Sequence, residues 1–118
     1  MIELEELHNF NRLFKTCTPL FIALADEYRQ KLILDIVDAG KDGINVSNLS
    51  AKSNLSRPAI SHHLKVLKDC GLIRPKKIGT QIFYQLNITE NFSILSELIN
   101  SIQNVLKRID ETGNAAQG

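Results

Sequence analysis

Between residues 47 and 71 the chain spells two short helices with almost nothing between them, and this constrains the fold more than any other stretch. Ser47 can cap a helix that holds Leu49 and Ala51 and ends near Asn54. Leu55 leads to Ser56, a second N-cap. Pro58 then falls in a first helical turn, where its missing N–H removes no intrahelical bond. The second helix runs to Cys70, and Gly71 ends it in the left-handed conformation that glycine adopts most cheaply. Two helices joined by a turn of about three residues make a helix-turn-helix over about residues 47–70.

The flanks complete a small, mainly helical domain. Leu4, Leu7, Phe10, Leu13 and Phe14 recur at helical spacing, Pro19 marks a break or a new start, and Leu20 to Ala25 give a short apolar turn of helix. Asp26 is an N-cap for a helix through Leu32, Ile33, Ile36 and Val37 that Gly40 stops. Lys41-Asp42-Gly43 is a turn, and Ile44 to Val46 a short extended piece. After Gly71 the period changes to two: LIRPKK, a turn at Ile78-Gly79-Thr80 and QIFYQL form a two-stranded antiparallel wing over about 72–86. Ile88, Phe92, Leu95, Ile99, Ile102, Leu106 and Ile109 then follow at spacings of 4, 3, 4, 3, 4 and 3, an a/d seam on a C-terminal helix over about 89–110, although a single amphipathic helix packing on its own core shows much the same stripe. Residues 112–118 are small and polar and read as a disordered tail, leaving residues 1–111 as one winged helix-turn-helix domain.

Composition excludes several classes. At 118 residues, with 43% hydrophobic and 23% charged side chains, the chain is an ordinary globular domain. No apolar run approaches the roughly 20 residues of a membrane span, and the acidic start MIELEELHNF is no signal peptide, so a cytoplasmic location is expected. Cys17 and Cys70 form no CxxC pair. The net charge of +1 conceals a segment, residues 56–86, with Arg57, Lys65, Lys68, Arg74, Lys76 and Lys77 against Asp69 alone. A basic segment between acidic flanks suits an anionic partner, although an ordinary solvated face carries such clusters too.

Within that segment stand adjacent histidines, His62 and His63. Ile60, Leu64 and Leu67 define a buried face, against which His63 lies, three after Ile60 and four before Leu67. His62 lines up with Arg57, Pro58, Ser61 and Lys65, a polar stripe without a carboxylate. The two rings diverge by about 100° around the axis and cannot chelate one ion together. Val66 and Leu67 occupy the i+4 positions a metal-binding helix needs. No nucleophile, base and orienting group come together, so no enzyme is expected. His63 is read as packing and His62 as a contact residue on a helix suited to the DNA major groove. Ser56, Arg57, Ser61 and Lys65 can donate to bases or phosphates, and Pro58 and Ala59 can touch thymine methyls. The wing tip adds Lys76, Lys77, Thr80 and Gln81 along the backbone.

ALADEYRQKLI, then LSRPAISHHLKVLKDCGLI, then a glycine turn and FYQL together resemble the ArsR/SmtB family of winged helix-turn-helix regulators, densely over about residues 20–88. The resemblance implies a homodimeric repressor that binds an inverted-repeat operator in double-stranded DNA and releases it when an effector binds. Leu4, Leu7, Phe14, Phe92, Leu95, Ile99, Ile102 and Leu106 would form the dimer interface on the N- and C-terminal helices. The family's metal sensors carry a CxC pair or ligands on the last helix. Here the CxC positions are Asn45 and Ser47, and residues 88–111 hold no histidine and only Glu90, Glu97, Asp110 and Glu111. No metal or cofactor is therefore expected; an unidentified small molecule or an oxidant is the candidate for an effector, whose existence the residues do not decide. Two alternatives stand beside this reading. One is a thiol-responsive repressor using Cys17 and Cys70 (His8 with Cys17 could also be half of an inter-chain metal site); the other is a winged-helix module that binds protein rather than DNA.

Overall fold

The computed structural model describes residues 2–87 and 90–117, with side chains for 2–87 and 91–111. Five helices and three strands follow in the order α1 (Leu4–Leu24), α2 (Glu27–Asp38), β1 (Ile44–Asn45), α3 (Val46–Lys52), α4 (Arg57–Asp69), β2 (Ile73–Ile78), β3 (Gln81–Leu86) and α5 (Glu90–Gln117). The chain divides into two compact units, residues 19–91 and residues 1–18 with 92–118.

In the unit of residues 19–91, Leu32, Ile36, Leu49, Ile60, Leu64, Leu67, Leu72 and Ile73 are buried to within 1% of full exclusion from solvent. Each such side chain contributes about 1.5–3 kcal/mol, which makes this cluster the unit's main source of stability. Asp26 caps α2 as expected, its Oδ1 accepting from the N–H groups of Tyr28 at 2.8 Å and Arg29 at 3.1 Å. The cap of α3 is not Ser47 but Asn45, whose Oδ1 accepts from the Asn48 N–H at 2.9 Å. The helix consequently begins two residues earlier, at Val46, and stops at Lys52 rather than near Asn54. Helix α4 begins at its Ser56 cap and ends in a Schellman motif. The Gly71 N–H reaches the Lys68 carbonyl at 2.9 Å and the Leu72 N–H reaches Leu67 at 3.0 Å, with Gly71 at φ 80°.

The expected two-stranded wing is present, and the extended piece before α3 adds a third strand to its sheet. Strands β2 and β3 pair antiparallel from Ile73 with Leu86 to Ile78 with Gln81, and β1 adds to the other side of β3 through Ile44 with Tyr84 and Asn45 with Phe83. Two residues of β-structure are too short to show a period-two pattern, which is why the third strand left no mark beyond an extended piece. Gly43, at φ 80°, makes the approach possible: a Cβ there would lie 2.5 Å from the Tyr84 carbonyl oxygen.

In the other unit, Leu13 and Cys17 of α1 pack on Leu98 of α5, with Phe10, Ile94, Leu95 and Ile102 partly buried around them. Pro19 does not break α1, which continues through it to Leu24. Proline there costs one hydrogen bond, to the Lys15 carbonyl, and Lys15 lies on the exposed side where water can replace the lost donor. The buried residues of α5 are Leu98 and Val105, which lie outside the heptad seam. The seam's first residue, Ile88, lies outside the described residues. Helix α5 extends to Gln117, past the boundary expected at residue 111, since adding a turn to an existing helix is cheap compared with starting one.

Candidate nucleic-acid interface

Helix α4 sorts its side chains by face. Ile60, Leu64 and Leu67 are buried, while Ser56, Arg57, Pro58, Ser61, His62 and Lys65 are exposed. His63 is half-buried, and its ring stacks on Tyr28 with centroids 6.0 Å apart. Its Nδ1 lies 3.3 Å from Nη1 of Arg29. Arginine can only donate, so Nδ1 accepts and the ring proton sits on Nε2. The centroids of the two histidine rings stand 5.7 Å apart with planes inclined at 56°. Among the described residues no three of His, Cys, Asp and Glu cluster as metal ligands would.

Arg29 does more than its place in ALADEYRQKLI suggested. Its Nε donates to the Ala23 carbonyl at 2.8 Å and its Nη2 to Ile22 at 3.1 Å, while Gln30 Nε2 donates to Leu24 at 2.7 Å. Three orphan carbonyls at the end of α1 are thus satisfied from α2. The same guanidinium reaches α4 through His63, so one side chain ties α1, α2 and α4 together. No periodicity marks such a residue, because its three partners come together only in the folded chain.

The motif's two helices are also joined by polar contacts. Arg57 Nη2 donates to Ser47 Oγ at 3.1 Å, and Asn45, besides capping α3, donates from Nδ2 to Oε1 of Gln81 at 2.8 Å. Asn45, Val46, Ser47, Thr80, Gln81 and Ile82 line a shallow groove of about 260 Å³ between the start of α3 and the wing tip. The polar stripe does carry a carboxylate: Asp69, one turn beyond Lys65, accepts from its Nζ at 2.7 Å. That hydrogen bond holds the Asp69 carboxyl below its ordinary range. Among the described residues, no carboxylate pairs with Arg57, Lys68, Arg74, Lys76 or Lys77. The charges of Arg57 and of β2 stand uncompensated, while Lys68 acts on the Asp69 carboxylate at longer range. Lys76 and Lys77, as neighbours on β2, lean to opposite faces of the wing, and with Thr80 and Gln81 all are exposed.

Neither cysteine has the environment of a reactive thiolate. Burial raises the Cys17 thiol above its ordinary value, and burial likewise raises Cys70, whose Sγ–H donates to the Leu67 carbonyl at 3.3 Å. Of the residues expected at a dimer interface, Leu95 and Ile102 are partly buried against Leu13, Cys17 and Leu98, and Phe92 is half-buried. Leu4, Leu7, Phe14, Ile99 and Leu106 remain exposed, at 68%, 48%, 46%, 46% and 58%.

Comparison with known proteins gives one consistent result. Residues 34–74 match the family model described as bacterial regulatory protein, arsR family. The chain is 34% identical over 91 residues to the transcriptional repressor SdpR of Bacillus subtilis, covering 77% of this chain and 93% of that one. It is 35% identical to the arsenical resistance operon repressor of the same organism, over 65% of this chain and 71% of the relative. Among solved structures, HlyU from Vibrio cholerae superposes with a TM-score of 0.58 at 30% identity, covering 71% of this chain and 88% of that one. An ArsR-like transcriptional regulator from Rhodococcus shares the fold, with a TM-score of 0.67 at 24% identity over 88% of this chain and 89% of that one.

Proposed function

The chain belongs to the arsR family of bacterial regulatory proteins and is a DNA-binding transcriptional regulator, and from that premise we propose that it acts as a homodimeric repressor. The observation that carries the reading is the exposed face of α4, with Ser56, Arg57, Pro58, Ser61, His62 and Lys65, standing beside the unpaired cations of β2. In this reading α4 enters the major groove, where Arg57, Ser61 and His62 meet base edges. Lys76, Lys77 and Thr80 follow the phosphates. Gln81, held by Asn45, positions the wing. The exposed apolar edges of α1 and α5 meet those of a second copy, so that two recognition helices reach half-sites about 34 Å apart on an inverted repeat.

No helix among the described residues is long and apolar enough to cross a membrane, which suits action in the cytoplasm. In this reading no metal binds at the positions of the family's CxC pair. Asn45 and Ser47 are engaged as a helix cap and as the acceptor for Arg57.

Selection of bound duplexes from a random pool tests the reading. The expected product is an inverted repeat whose affinity falls steeply with salt, by a slope of about one per phosphate contacted. Recovery of no sequence, with binding to DNA too weak to vary with salt, would leave the fold as a protein-binding module instead.

A further inference from the structure

On the side of the unit away from the wing tip, the turn at Gly40–Asp42 leans over the base of the sheet and leaves two adjoining clefts. One, of about 490 Å³, is lined by Lys41, Asp42, Arg74, Pro75, Lys76 and Gln85. The other, of about 350 Å³, adds Ile36, Val37 and Leu86 and shares Lys41, Arg74 and Gln85 with the first. At the seam between them Gln85, only 8% exposed, is fully engaged: its Nε2 donates to the Lys41 carbonyl at 2.7 Å and its Oε1 accepts from Arg74 Nε at 3.3 Å. This fixes the Arg74 guanidinium by one edge. Its terminal nitrogens, and the Lys41 ammonium, have no partner among the described residues.

We infer that these clefts form a binding site for a small amphipathic carboxylate, its head on Arg74 and Lys41 and its apolar body against Ile36, Val37 and Leu86. The combined space falls in the range of ligand sites, about 300–1,000 Å³, and joins an apolar wall to a few placed polar groups, as such sites do. A guanidinium held by its Nε presents its remaining N–H groups as a fork that fits a carboxylate in two parallel bonds. Arg74 pairs with Gln85 four rungs back from the Ile78–Gln81 end, or roughly 13 Å, so the site lies apart from Thr80 and Gln81 at the tip and meets the proposed DNA contacts only at Lys76, which lines the larger cleft. The inference does not depend on DNA binding.

Titrating the isotope-labelled full-length protein with octanoate, and following its amide and arginine side-chain resonances, tests this. Saturable shifts are expected at Ile36, Val37, Lys41, Arg74 and Gln85, with none from octylamine. Arg74→Gln should weaken octanoate binding by about tenfold, and Arg74→Lys, which keeps the charge but loses the fork, by an intermediate amount. Val37→Glu, at a half-exposed position that leaves folding intact, should weaken it independently. A short DNA duplex should leave Ile36 and Val37 unmoved. The inference fails if octanoate gives no saturable shift at millimolar concentration, if octylamine shifts the same residues, or if only the duplex moves Arg74 and Gln85.

Discussion

His62 and His63 are neighbours in sequence with separate work, and the environment of each says how to tell them apart. His62 is exposed, so His62→Ala should leave the melting temperature unchanged while reducing operator affinity by about 1–3 kcal/mol if the ring reads a base. His63 accepts from Arg29 and stacks on Tyr28, so His63→Ala should cost about 1–3 kcal/mol of stability by removing the stacked ring and leaving the part-buried Arg29 Nη1 with only the Asp26 carboxylate 3.9 Å away. Thermal melts and DNA titrations of both variants check this, and a loss of affinity from His63→Ala at full stability would reverse the two roles. Acid sensitivity is a second matter at this scale. The Arg29 and Tyr28 backbone N–H groups and the Arg29 charge hold Asp26 below its ordinary value of 3.8. A depressed carboxyl adds stability that is complete above its unfolded value and is lost as pH falls through the folded one. Denaturant midpoints should therefore fall below about pH 4, and Asp26→Asn should flatten that limb.

At the scale of elements, the short connections matter more than the helices they join. Asn45→Ala removes the cap of α3 and should cost about 1 kcal/mol, and it also releases Gln81. Its mark would be a loss of order in the wing, seen as faster amide exchange in β3, beyond what the stability change alone produces. Gly43→Ala should cost more, about 1–3 kcal/mol, because alanine is strained at φ 80° and its methyl would press on the Tyr84 backbone. Both effects can be read from urea unfolding. These elements also mark how far a sequence can be read. Caps such as Asp26 and Ser56 and the stop at Gly71 act within one turn, so their residues announce them. Asn45, Arg29 and Gln85 work through partners 34 to 44 positions away or on other elements, and nothing local distinguishes them from any polar side chain. The heptad seam located the apolar side of α5, where Leu95 and Ile102 pack on the cluster that α1 forms with Leu98, but spacing does not tell which margin of that side α1 covers.

For the molecule as a whole, that division of α5 redirects the test of assembly. Leu95 belongs partly to the internal core, so replacing it would confuse unfolding with dissociation. Ile99→Glu with Leu106→Glu alters only exposed positions, at 46% and 58%, and should yield a folded monomer by sedimentation with little operator binding. A double variant that stays dimeric would place the interface elsewhere. Lys76→Ala and Lys77→Ala should weaken binding to all sequences alike, each lowering the salt slope by about one unit if it touches a phosphate.

The Schellman turn at Gly71 sets the wing's aim. Leu72 and Ile73 are buried directly after it, and the Gly71 and Cys70 carbonyls accept from the side-chain amides of Asn87 and Asn91. From that clamped root β2 projects six residues, an arm roughly 20 Å long. A swing of about 5° at the root of such an arm carries its tip by roughly 2 Å, enough to break a hydrogen bond to a phosphate. If the lysines reach phosphates as proposed, the two asparagines at the root set how accurately they arrive, and loosening either would blur the wing's reach without removing a single charge.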